Sequence, residues 1–149
     1  MQSLLDPQQN NEMIERINKL SSNSAPIWGK MNVTQMLKHS EIGLLMAFGD
    51  IKLKQKLIGK IFGKMAKRKL MADEPFGKNL PTDKKFKEYG NAGFEENRSS
   101  LINSLKRFTK GGEAAITKET HPFFGELTTK EWDTLQWKHL DHHLRQFGA

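Results

Sequence analysis

The stretch that starts at Thr128 constrains the fold most, because it combines a helix start, a helical apolar repeat and three of the five histidines. Thr128 and Glu131 are three residues apart, as in a capping box that begins a helix. Apolar residues then recur at helical spacing, and they include Trp132, Leu135, Trp137, Leu140, Leu144 and Phe147. The sequence therefore predicts a long amphipathic helix at the end of the chain.

The histidines of this helix do not all point in one direction. At ~100° per residue, His139 and His143 fall on the same side as Trp132 and Gln136, whereas His142 points roughly opposite to the core. Two residues four positions apart lie ~6 Å apart along a helix axis, so His139 and His143 can bind one ion. An isolated pair of this kind also occurs by chance in many helices. We expect His142 at the surface or beside the ligands.

A second helix carries another candidate ligand. Asn32 and Gln35 have the spacing of a capping box, which predicts a helix over residues 33–48. His39 lies beside the main apolar stripe of this helix. Alone, such a histidine is more often a structural residue. Together with the C-terminal pair, it leads to the sharper hypothesis that three imidazoles converge on a metal ion between helices.

Two further segments have the pattern of core helices. Asp6 followed by Pro7 is a favoured helix start, and apolar residues at helical spacing extend that helix to about Leu20. The same spacing recurs from about Phe94 to Lys110, before a glycine pair that ends a helix. The sequence therefore predicts an all-α fold.

Positive charge is concentrated between residues 51 and 72, where basic residues surround an apolar stripe. Such a helix can lie on a membrane or bind nucleic acid. We favour a solvated basic face whose apolar side packs on the core or on a second subunit, and we do not expect nucleic acid as the partner. The basic residues are Lys52, Lys54, Lys56, Lys60, Lys64, Lys67, Arg68 and Lys69.

Two connecting segments have a composition of their own. The one from Asp73 to about Gly93 is rich in proline, glycine and charge, and we expect an ordered crossover because it also contains large apolar residues. These candidate contacts are Phe76, Leu80, Phe86 and Tyr89. The other, around His121, contains HPFFGELT; the proline favours extended backbone before it. His121 either lines the site or, as we favour, hydrogen-bonds to the loop backbone.

The composition limits the possible chemistry. With 149 residues and 36% hydrophobic content, the chain fits a single domain over residues 1–149. It has no cysteine, which excludes disulfides, a cysteine nucleophile and cysteine-bound zinc. No apolar run approaches the roughly 20 residues of a membrane helix, and the N-terminus lacks a secretory pattern. We therefore expect a cytoplasmic protein without membrane insertion. The net charge of +7 permits an anionic partner.

The motifs HPFFGELT, EW and WKHLDHHLRQFG, together with the WGKMNVTQMLKHSE block, resemble an uncharacterised bacterial branch of the DinB-like (YfiT-like) superfamily of metal-dependent enzymes. The resemblance covers nearly the whole chain. It implies an up-down-down-up four-helix bundle with a long crossover between the second and third helices, often as a homodimer. The superfamily's histidine pattern falls on His39, His139 and His143, and its metal is zinc, nickel or a similar divalent ion.

The resemblance also implies a small-molecule substrate and a thiol-dependent S-transferase, in which a low-molecular-weight thiol is activated at the metal. The first alternative is a metal-dependent hydrolase that activates water. A second is a non-enzymatic, stress-related binding protein that uses the basic helix. A third is a metal that only stabilises the fold. Glu41 and Asp141 lie near the ligands in sequence, but we name no general base, and we expect Asp141 to point away.

Overall fold

The computed structural model describes residues 2–54, 57–72, 74–78 and 90–149, and these residues form helices and connecting segments. No strand is formed within these ranges; His121 and Gly125 make one isolated bridge. The chain is therefore all-helical as far as it is described. The helices are α1 (Pro7–Asn18), α2 (Val33–Phe48), α3 (Leu57–Met71), α4 (Phe94–Gly111), a short 3₁₀ helix (Gly112–Ala115) and α5 (Thr129–Gln146).

The helix starts follow the capping residues. Asp6 accepts a hydrogen bond from the Gln9 backbone N–H at the start of α1. Asn32 forms a complete capping box at α2, and Thr128 does so at α5. Each cap satisfies backbone N–H groups that have no partner within the helix. These three predicted helix starts are confirmed. The predicted start of α4 at Phe94 is confirmed as well.

Four helices enclose the core. Helix α2 packs against both α4 and α5, and α1 packs against the same two helices. Helix α1 ends two residues before the predicted position, but Leu20 remains buried. The most deeply buried large side chains come from these four helices, from the N-terminal segment and from the end of α3: Leu4, Ile17, Val33, Met36, Leu37, Leu70, Leu101, Leu105, Phe108, Trp132 and Leu144. Burial of these apolar groups is the main force that holds the helices together.

Helix α3 packs on α5 and on the loop before it through a narrow face made of small residues. A Cβ atom on Gly59 would lie 2.7 Å from the carbonyl oxygens of both Pro122 and Phe123, and one on Gly63 would lie 2.6 Å from that of Phe123. The glycines therefore permit a contact between backbones that larger residues would prevent.

Leu70 near the end of α3 is buried in the core, but several large apolar side chains of this helix are directed to solvent. Leu57, Ile61 and Met65 are exposed, so these residues do not pack on the core, and of our two predicted locations for this apolar side the contact with a second subunit stays a prediction. The periodicity was correct, but the glycines occupy the face that contacts the body. The end of α3 is held by Lys138, whose ammonium donates hydrogen bonds to the carbonyl oxygens of Leu70, Ala72 and Glu74.

The crossover is described only at its two ends. Phe76 contacts the His142 ring, with 6.3 Å between ring centroids, as expected for a residue that attaches this segment to the body. The other predicted contacts, Leu80, Phe86 and Tyr89, lie outside the described residues.

Candidate metal centre

Three histidines from two helices converge in the interior. His39 comes from the middle of α2, and His139 and His143 come from successive turns of α5. One ring nitrogen from each lies within 4.8 Å of the other two, and the Nε2 atoms of His39 and His139 are 2.9 Å apart. The structure thus brings together the three residues that the sequence suggested as ligands.

The separations fit a divalent ion closely. Two imidazole nitrogens bound to one tetrahedral zinc ion, each at about 2.0–2.1 Å, lie roughly 3.3 Å apart. The Nε2–Nε2 distance of 2.9 Å is slightly shorter than this value, and the limit of 4.8 Å on the whole set is longer. The observed distance and the upper limit thus bracket the spacing expected for two nitrogens bound to one ion.

Burial keeps the two α5 rings available as ligands. Desolvation, together with the neighbouring histidines, lowers the pKa of His139 well below its usual value. Desolvation, followed by the charge effect of His39, lowers the pKa of His143 to about 3. Both rings are neutral at pH 7, and a neutral imidazole has the free lone pair that a metal ligand needs.

A glycine on α2 allows α5 to approach. Gly43 lies one turn after His39, and a Cβ atom at this position would be 3.1 Å from His139 Nδ1 and 2.9 Å from Gln136 Oε1. The backbone of α2 therefore passes directly beside the His139 ring. Gly43 was not among the residues predicted to shape the site, although a glycine inside a helix, four residues from a candidate ligand, is a signal of close packing.

The sequence matches a protein family over residues 2–149, and that family is described as a protein of unknown function, DUF1569. The chain belongs to this family. Neither a curated protein nor a solved structure matches the chain.

Gln146 determines which nitrogen of His143 carries the ring proton in this DUF1569 chain. The Gln146 amide nitrogen donates to the Trp28 carbonyl at 2.6 Å, and its Oε1 is 2.9 Å from His143 Nδ1. A carbonyl oxygen only accepts hydrogen bonds, so the amide orientation is fixed and Nδ1 of the neutral ring must carry the proton. Nε2 is then the nitrogen with a free lone pair, as is usual when an outer partner orients a metal-binding histidine.

The loop between α1 and α2 holds Gln146 in turn. The Ile27 N–H donates to the Gln146 carbonyl at 2.7 Å. Gly29 adopts φ +83°, and a Cβ atom there would clash with the Gln146 side-chain amide. Sequence reasoning missed Gln146 and Gly29. The only local signal was that Gln146 follows His143 by three residues, on the same side of the helix.

Trp132 and Gln136 are buried on the same side of α5 as the two ligands. Gln136 lies beside His139, as the position of Gly43 shows. Trp132 lies nearer to the start of α5 than Gln136 does. Its indole N–H has no hydrogen-bond partner among the described residues. Trp132 also lines a cavity of about 20 Å³ together with Met46 and Thr120. That volume is about the size of one water molecule.

His121 holds its own loop together. Its Nδ1 accepts hydrogen bonds from the N–H groups of Phe123 and Phe124, both at 3.1 Å. Desolvation lowers the pKa of the buried ring to about 4, so it is neutral and can accept both bonds at pH 7. The ring contacts Trp132, with 5.3 Å between centroids, but His121 is not one of the three converging histidines.

His142 lies beside the triad without joining it. Its half-buried ring is 5.1 Å from that of His143 and 5.8 Å from that of Trp28. Desolvation lowers the pKa of His142, and a hydrogen bond to the Phe76 backbone opposes this effect. The ring therefore connects the crossover segment to the outer side of the site.

The two nearby carboxylates are engaged elsewhere. Asp141 pairs with Arg16 and Arg145, each at 2.9 Å. Glu41 pairs with Lys38 at 2.7 Å and accepts a hydrogen bond from Ser100. Each carboxylate is thus held by an ion pair, and neither belongs to the converging set.

A larger cavity of about 420 Å³ lies near the starts of α2 and α4. Its lining is polar and includes Asn32, Gln35, Asn91 and Asn97, but none of the three converging histidines. This cavity therefore gives no direct access to the triad.

Among the described residues, no helix is both long and apolar enough to cross a membrane.

Proposed function

We propose that this chain is a divalent-metal-dependent enzyme with His39, His139 and His143 as the metal ligands. The observation that carries the proposal is the convergence of three imidazole nitrogens, one from each residue, within 4.8 Å. Zinc and nickel are the metals that we favour, because imidazole suits both.

We further propose that the fold is the four-helix bundle of the DinB-like superfamily, in up-down-down-up order. The contacts of α1 and α2 with both α4 and α5 support this assignment. A long connection between α2 and α4, which includes the extra basic helix α3, also supports it. In such bundles, metal ligands project inward from facing helices, as the histidines of α2 and α5 do here.

The chemistry that we favour is a thiol-dependent S-transfer to a small-molecule electrophile. A divalent ion held by three histidines would have a coordination position free for a further ligand. Such an ion would act as a Lewis acid that lowers the pKa of a thiol or water at that position. The chain has no cysteine, so the thiol would come from a separate molecule. Hydrolysis is the alternative reaction, and the homodimer implied by the resemblance stays a prediction.

The residues of the chain would orient the ligands and exclude water. Gln146 keeps the proton of His143 on Nδ1, so that Nε2 retains the lone pair that a metal ligand needs. Gln136 is buried beside His139 and limits the space there. Because the Glu41 and Asp141 carboxylates are paired with cations, we assign neither of them as a general base.

Metal content tests the proposal directly. Protein purified without a histidine tag is supplied with zinc or nickel, desalted and analysed for bound metal. We expect near-stoichiometric metal in the wild type, and its loss in His39→Ala and His143→Ala. The matched control is His142→Ala, which removes a neighbouring imidazole outside the triad and should retain the metal. A wild type that binds neither ion would refute the proposal.

Once metal binding is established, turnover of electrophiles with and without an added thiol distinguishes transfer from hydrolysis.

A further inference from the structure

Helix α3 has an exposed apolar surface. Its glycine face contacts the loop before α5, and this orientation directs large side chains to solvent. The exposed fractions are 73% for Leu57, 63% for Ile61, 47% for Phe62 and 59% for Met65. Isolated exposed apolar residues are common in proteins, but four on one short helix form a patch typical of an interaction site.

Positive charge accompanies this patch. Lys64, Arg68 and Lys69 are exposed on the same helix, and α3 contains no acidic residue. On a helical projection, Lys64 and Arg68 lie next to Leu57 and Ile61. Lys67 differs, because it pairs with Glu131 at 2.9 Å and so helps to hold α3 on the body.

These features select among the possible partners. A second copy that packed α3 against α3 would bring cations together without any acid on the helix to balance them. Nucleic acid would match the charge, but exposed aliphatic side chains add little to phosphate contacts. An anionic lipid surface matches both properties, since it attracts lysine and arginine and also buries apolar side chains at the headgroup boundary.

We propose that the exposed face of α3, formed by Leu57, Ile61, Phe62 and Met65 with Lys64, Arg68 and Lys69, docks on an anionic lipid bilayer. The helix lies in the bilayer interface and does not span it. The Lys138 hydrogen bonds at its end and the close glycine packing hold α3 in place before binding. Little ordering of the helix is therefore needed when it docks. This docking goes beyond the metal chemistry and does not depend on it.

Vesicle flotation tests the proposal with the full chain. Wild type is mixed with vesicles of phosphatidylcholine, with or without phosphatidylglycerol. We expect binding only to the anionic vesicles, and a decrease in binding with added salt. Lys64→Glu combined with Arg68→Glu should weaken this binding on the order of tenfold or more. Ile61→Ser combined with Met65→Ser should also weaken it about tenfold, because burial of these side chains is lost.

The matched control is Lys106→Glu combined with Lys110→Glu, which makes the same charge change at exposed positions on α4 and should bind nearly as wild type does. Circular dichroism melts check that every variant remains folded. Absence of wild-type binding to anionic vesicles would overturn the proposal, and so would unchanged binding of the serine variant. If the serine substitutions instead convert a dimer to a monomer in analytical ultracentrifugation, the patch is a contact between copies and the lipid proposal fails.

Discussion

His143 depends on Gln146 for the location of its ring proton. The amide of Gln146 connects this ring to the Trp28 carbonyl, over a separation of more than a hundred residues along the chain. Outer partners of this kind set the orientation and basicity of metal ligands, and their loss commonly weakens metal binding. Gln146 would therefore influence metal binding at the triad through its hydrogen bond with His143.

We predict that Gln146→Leu lowers the affinity for zinc by about 10–100-fold, because the Nδ1 proton of His143 loses its acceptor and the ring is free to turn. Gln146→Glu retains an acceptor and should lose less affinity. Competition with a chromophoric chelator measures both values. The control is Gln8→Leu, an exposed position on α1. If the Gln146→Leu and Gln8→Leu proteins bind zinc equally well, Gln146 does not position the ligand.

Sequence reasoning found the converging histidines but not the residues that hold them. The spacing of His139 and His143 is a local property of one helix, so angular arithmetic identified their common side. The roles of Gln146, Gly29 and Gly43 arise from contacts between distant segments. Helical periodicity carries no information about which residue of another element lies opposite.

At the scale of elements, the capping residues explain why the helix starts were predictable. A cap is a contact within three residues, and the side chains of Asp6, Asn32 and Thr128 make such contacts. The orientation of α3 was not predictable in the same way. Its apolar stripe was recognised, but the stripe alone did not say that the glycine face, and not the apolar face, contacts the body.

The glycine packing of α3 leads to a prediction. Gly63→Ala should loosen the contact between α3 and the loop, because the new methyl group would lie 2.6 Å from the Phe123 carbonyl oxygen. Overpacking of this kind costs about 1–3 kcal/mol, which exceeds the gain of roughly 1 kcal/mol in helix propensity. We expect faster tryptic cleavage at the lysines of α3. Met65→Ala, at an exposed site on the same helix, should be cleaved at the wild-type rate; equal rates for both variants would contradict the packing argument.

At the scale of the whole molecule, buried histidines connect stability to pH. The folded-state pKa values of His121 and His143 are about 4 and about 3, whereas an exposed histidine in the unfolded chain titrates near pH 6.5. As the pH falls below about 6.5, the unfolded chain therefore takes up protons that the folded protein does not. Stability from these groups is fully present above that pH and is lost progressively towards pH 4 and below.

We predict that the metal-free protein loses about 2 kcal/mol of unfolding free energy for each of these two histidines between about pH 7 and pH 5. Urea denaturation in the presence of a chelator measures the loss. His121→Asn tests one contribution separately: the amide oxygen can still accept the N–H groups of Phe123 and Phe124 but does not titrate, so the loss should shrink by about 2 kcal/mol. An unchanged pH dependence in this variant would mean that His121 does not remain neutral in the fold. A bound divalent ion stabilises only the folded state, in which His143 is already unprotonated between pH 7 and pH 5, so saturating zinc should raise the unfolding free energy while leaving its pH dependence in this range nearly unchanged.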